Sequence, residues 1–198
     1  MKPSDGSSSF FDLSGTAVRT LDADAARDAV PDLCDVLLDC VHGGASVSFM
    51  APLAREKAEA FWNGVAAGVA RGDRALVVAE IDGRMGGGMG GGTGSRRIVG
   101  TVQMVPAPQD NQPHRADIAK LLVHSGARGR GVAAALMAEA ENAARRAGRT
   151  LLVLDTVSDS AAARLYGRLG WTAAGSVPDY ALYPDGRPCP TTFFYKRV

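Results

Sequence analysis

The sequence predicts a single α/β (α+β) domain in which a mixed central sheet is flanked by helices. Two observations carry this. From residue 116 on, apolar runs alternate in type: strand 116–124, helix 130–147, strand 150–157, helix 159–169, strand 171–177 and a last strand TTFFYKRV (191–198). Such alternation builds helices onto a sheet. Earlier, RALVVAEIDG (74–83) and RIVGTVQMV (97–105) read as two strands joined by a loop. A chain of 198 residues that is 46% apolar suits one core.

Residues 1–14 open with the polar, serine-rich MKPSDGSSSF and are expected to be a flexible lead-in. They lack the apolar stretch of a secretory signal. TAVRTL (16–21) reads as the first strand. Ala26, Ala29, Val30, Leu33, Val36, Leu37, Cys40 and Val41 then recur at three- and four-residue spacing, one face of an amphipathic helix. Pro31 inside that run bends the helix or marks a late first turn. Gly43 and Gly44 stop it. A further helix is expected after Pro52, through EKAEAFWNGVAAGVARG. The domain proper is taken as 15–198, with a glycine-rich loop at 83–95. Residues 85–94 hold seven glycines, which makes that loop costly to order. It lacks the GK[ST] and following helix of a nucleotide-binding P-loop. In helix 130–147 the inward stripe is expected to be Val132, Leu136, Ala140, Ala143 and Ala147.

Net charge is +1, from 22 Lys plus Arg against 21 Asp plus Glu. That balance argues against a nucleic-acid surface. No apolar run reaches the ~18 residues a membrane span needs. The three cysteines, Cys34, Cys40 and Cys189, lack metal-ligand spacing, so no metal site is expected. They read as buried packing residues, in keeping with a reducing cytoplasm.

The most informative stretch is SGARGRGVAAALM (125–137). A strand passes into a helix through Arg128, Gly129, Arg130 and Gly131. The start of a helix leaves backbone N–H groups unpaired at the positive end of its dipole, where a phosphate fits. Glycines let the backbone approach closely, and arginines add charge-assisted bonds. The same residues also suit a plain strand-to-helix turn with solvated arginines. The spacing is not the GxGxxG of dinucleotide folds.

The spacing Arg-x-x-Gly-x-Ala over 128–133 resembles the acyl-CoA pyrophosphate motif of the GNAT superfamily of N-acetyltransferases. LLVLDTVSDSAAARLYGRLGWTAAG (151–175) is similar to that family's next strand and helix, with A-x-x-L-Y-x-x-x-G-W. The order of elements also matches from residue 16 to the end. The resemblance implies a mostly antiparallel sheet and acetyl-CoA as cosubstrate. It implies that Leu121, Leu122 and Val123 offer strand backbone to pantetheine. Arg128, Gly129, Arg130, Gly131, Val132 and Ala133 would hold the pyrophosphate. Tyr166 would protonate the leaving thiolate. Asp117 or Asp155 would receive the amine's proton, although either residue also suits a strand end or a helix cap. Where the family often has an asparagine seven residues before the tyrosine, this chain has Asp159, and Ser160 could substitute through its hydroxyl. His42 is a candidate wall residue of the acceptor site, or simply structural at a helix end.

The function so implied is acetyl transfer to a small-molecule amine, such as a toxin or antibiotic, by direct attack on the thioester. Acetylation of a protein N-terminus or lysine, and a CoA-binding sensor without turnover, stand as alternatives. No nucleic-acid or membrane partner is expected, and a monomer and a homodimer fit equally.

Overall fold

The computed structural model describes residues 15–82 and 96–198; the expected lead-in (1–14) and glycine-rich loop (83–95) lie outside them. Seven strands form one sheet: β1 (Ala17–Thr20), β2 (Ala75–Asp82), β3 (Arg96–Pro106), β4 (Arg115–Val123), β5 (Leu151–Val157), β6 (Thr172–Leu182) and β7 (Pro188–Arg197). Their order is β1-β2-β3-β4-β5-β7-β6, and every neighbouring pair is antiparallel except β4–β5. The sheet is therefore mixed and mostly antiparallel, as expected. Its one parallel pair requires a crossover, which α4 (Val132–Arg146) supplies.

On one face α1 (Ala23–Asp28), α2 (Val30–His42) and α3 (Arg55–Ala70) enclose a core that includes Leu33, Leu37, Trp62, Leu76 and Leu122. On the other, α4 and Tyr166 of α5 (Ala161–Arg168) cover a second core with Val102, Ile118, Leu136 and Leu154. Burying each such side chain contributes roughly 1.5–3 kcal/mol. Trp62 and Trp171 are both buried. The three cysteines are buried and free, and burial pushes the Cys34 thiol up to about 11.

Four expectations need correction. The first amphipathic run is two helices that break at Ala29; Asp22 caps α1, and Pro31 sits in the first turn of α2, where no N–H is needed. In α4, Ala147 is exposed because the helix ends at Arg146 and the chain turns at Gly148 (φ 69°); Met137 and Ala144 are buried instead. Strand β6 runs on to Leu182 past Pro178, since the β6–β7 register is irregular between Val177 and Ala181 and needs no ladder bond there. Strand β7 starts at Pro188, where the hairpin closes with Tyr183 N–H donating to the Arg187 carbonyl at 2.8 Å.

Candidate active site

Strands β4 and β5 pair from Arg115↔Leu151 to Asp117↔Val153 and then part, although β4 continues to Val123 and β5 to Val157. A bulge on β4 accompanies the split. Thr101 pairs with Leu122 and Gln103 with Ala119, so two β3 steps face three on β4. Lys120, inside the bulge, takes a left-handed φ of 53°. Bulges bend a strand away from its partner.

The bulge also resets which side chains share a face. Ala116 and Ile118 lie in the α4-side core, and Leu121 and Val123 pack against that same core, whereas Leu122 joins the α1–α3 core. Simple alternation puts Asp117 on one face with Leu121 and Val123; the extra residue places it on the opposite one. The backbone follows a matching rule. His124 N–H donates to the Val99 carbonyl at 2.9 Å, so Leu122, two residues back, also points to β3. By the same alternation the Leu121 backbone and the Val123 N–H face the gap, while the Val123 carbonyl accepts from Arg128 Nε at 2.9 Å. Of the three residues expected to meet pantetheine, Leu122 is therefore committed to β3.

A cavity of about 750 Å³ opens where the strands part. Its walls come from residues 44–50, 118–121, 155–160 and 180–183, together with Tyr166 of α5. Two bonds pin the far walls together: Ser46 Oγ–H to the Leu182 carbonyl at 2.7 Å, and Ala51 N–H to the Pro184 carbonyl at 3.0 Å. Tyr166 is 5% exposed, and its ring sits 6.0 Å from Trp171 and 5.8 Å from Phe194. Burial, then the Asp155 charge, pushes its phenol well above the usual tyrosine range. That keeps it protonated.

Asp155, two residues before the end of β5, is exposed and lines this cavity. The surrounding walls raise its carboxyl above the usual range, Asp117 adds to the rise, and Lys120 opposes it. Lys120 was not foreseen. Its ammonium is pushed down by burial and pulled back up by Asp155. The signal in the sequence was a lone lysine inside the apolar run DIAKLLV. Asp117 is not a wall residue; Arg115 Nη1 donates to it at 2.5 Å. Ser160 caps α5, accepting from Ala163 N–H at 3.1 Å, which leaves its hydroxyl hydrogen able to donate. His42 lies outside the main cavity, and its Nε2 accepts from Leu53 N–H at 3.3 Å, a structural role.

Beyond the far end of β4 lies the glycine turn. Gly129 and Gly131 have φ of 75° and 82°, and open space surrounds both Cβ positions, so conformation rather than crowding calls for glycine. Gly131 is the N-cap of α4 and gives its first turn no side-chain cap. The amides of Val132 and Ala133 in that turn are thus suited to an anion. The Arg128 side chain turns the other way. Its Nε donates to the Val123 carbonyl at 2.9 Å, and its Nη2 lies 3.4 Å from Asp39 Oδ2. Asp39 on α2 also accepts from Ser125 N–H at 2.7 Å and Ser125 Oγ–H at 2.6 Å. Arg128 therefore braces the turn against α2. Arg130 is exposed on the turn itself.

A parallel strand pair that opens over a phenol and a carboxylate, with an uncapped helix start beyond it, has the layout of an acyltransferase with a phosphorylated carrier. The comparisons with known proteins agree. The sequence profile of the Acetyltransferase (GNAT) family matches residues 47–171. An uncharacterised N-acetyltransferase from the hisH-hisA intergenic region of Azospirillum brasilense is 30% identical, over 76% of this chain and 89% of its own. An N-acetyltransferase of Staphylococcus aureus Mu50 superposes with a TM-score of 0.72 at 16% identity, over 93% of this chain and 99% of its own. A putative acetyltransferase of Salmonella typhimurium, solved with its cofactor acetyl-CoA, superposes with a TM-score of 0.69 at 18% identity, over 93% and 94%. At those identities the two structures speak for the fold. The chain belongs to the GNAT acetyltransferase family and is an acyltransferase with acetyl-CoA as the acyl donor. Among the described residues, no helix is long and apolar enough to cross a membrane.

Proposed function

We propose that this enzyme acetylates the amine of a small molecule, with Tyr166 as the acid and Asp155 as the base. The observation that carries this reading is that both side chains line one cavity, at the point where β4 and β5 part. Acetyl-CoA supplies the acetyl group and leaves as the thiol. Leu121 and Val123 offer backbone to its arm, and Gly129 to Ala133 offer amides to its pyrophosphate. Asp155 draws the incoming ammonium and takes its proton, directly or through water, so that the C–N bond can form. Tyr166 donates its proton to the sulfur as the C–S bond breaks.

A small acceptor is favoured over a peptide because segments 44–51 and 180–184, which include two of the cavity walls, are hydrogen-bonded to each other through Ser46 to Leu182 and Ala51 to Pro184. Residues 41–50, 126–131, 154–156 and 184–196 also resemble the tabtoxin resistance acetyltransferase, and 44–50 and 155–156 line this cavity. That supports detoxification of an amine toxin or antibiotic as the role. The test is thiol release from acetyl-CoA against a panel of small amines, amino-acid analogues and aminoglycosides; release with peptides alone would contradict the reading.

Asp155 also fixes the sign of a pH dependence. Its base form is the active one, and its carboxyl titrates above the ordinary aspartate value near ~3.9. The kcat/KM profile is expected to fall, as pH drops, at a pH above that value. Asp155→Asn is expected to lower kcat by roughly 10²-fold and remove this acid limb. An unchanged limb in the variant would assign the base elsewhere.

A further inference from the structure

Among the described residues, Ser48, Lys120, Asp159 and Asp179 are the non-glycine positions with left-handed backbone, and the first three line the cavity. Such strain persists where the surroundings enforce it, and it gathers at working sites. Here two of the strained residues touch. Lys120 Nζ donates to Ser48 Oγ at 3.0 Å, and it lies 5.9 Å from the centre of the Phe61 ring. Both contacts are to neutral groups. Among the described residues, no salt bridge reaches this ammonium, although Asp155, which lines the same cavity, acts on it electrostatically.

A half-buried cation with only neutral partners is costly unless something pairs with it. A leucine or methionine would line the wall at less cost. The ammonium would also repel a simple cationic amine and so oppose the binding of a plain acceptor. Both difficulties vanish if the acceptor carries its own negative charge. The wall then presents a cation at Lys120 and an anion at Asp155, separated by cavity, which matches a molecule carrying an acid and an amine.

We infer that the acceptor is an amino-acid-like molecule whose acid group is held by Lys120 Nζ and the Ser48 hydroxyl while its amine lies toward Asp155. This rests on the small-amine reading above and narrows it. Lys120 acts as a specificity residue, and it takes no proton in the reaction.

The test uses matched amines that differ only in the acid group: L-phenylalanine against 2-phenylethylamine, and L-leucine against isoamylamine. Thiol release from acetyl-CoA is followed for the wild type, Lys120→Met and Lys120→Arg, with thermal-shift titration of acetyl-CoA alongside. The wild type is expected to favour the acid-bearing member at least about 10-fold in kcat/KM, as one well-made charged contact provides. Lys120→Met should raise KM for that member and abolish the preference, and Lys120→Arg should keep most of it. A lysine that merely ties β4 to the 44–50 wall, or that acts as a base, would give equal losses for both members, which would overturn the inference. So would a preference for the neutral amine, or no release with either acid while acetyl-CoA still raises the melting temperature. No stabilisation by acetyl-CoA at all would instead count against the functional reading beneath it.

Discussion

Tyr166→Phe is expected to lower kcat by about 10²-fold while CoA affinity stays unchanged. The ring packing survives the change, because the contacts to Trp171 and Phe194 are made by the ring. What is removed is the hydroxyl alone, which has no hydrogen-bond partner among the described residues, from a side chain that lines the cavity. The surroundings hold that phenol protonated, so it can serve as an acid at any pH where the enzyme works. Its task is to stop a poor leaving group from departing as a bare thiolate. Turnover and CoA dissociation constants, measured on the same preparations, check this. A parallel loss of turnover and CoA affinity would make Tyr166 a packing residue.

Gly131→Glu is expected to weaken CoA binding by at least about 10²-fold, and Gly131→Ala by about 10-fold or less. Both variants place a side chain at φ 82°, which costs roughly 1–2 kcal/mol. Nothing lies within 4 Å of the added Cβ, so no clash contributes. The glutamate alone sets a negative charge at the N-cap of α4, where the pyrophosphate would lie. The difference between the variants therefore reads the phosphate contact apart from backbone strain. Equal weakening by both would mean that no phosphate meets this helix start.

Glycine made the turn legible. Gly129 and Gly131 both take left-handed conformations, and their place between a strand and a helix could be read directly. The Tyr166 motif was legible for a similar reason: it lies on one short helix that follows its strand closely. The bulge at Lys120 was not. Strict alternation through DIAKLLV puts Asp117 beside Leu121, and a single extra residue reverses that without leaving a mark in the sequence. This is also why Asp117 and Asp155 looked equivalent as bases when only Asp155 reaches the cavity. The inward turn of Arg128 was hidden too, since its partner Asp39 lies far away in the chain, on α2. The cavity walls at 44–50 and 180–183 meet only through tertiary packing, and no local pattern joins them.

Amide hydrogen exchange with and without CoA tests the central claim most directly, because it reports on the turn and the parted strand residue by residue. Slowed exchange at Leu121 and Val123, whose amides face the gap, and at Val132 and Ala133 in the first turn of α4, is the expected result. Leu122, already bonded toward β3, should change little. CoA binding that leaves the amides of Val132 and Ala133 exchanging at their free rate would contradict the account.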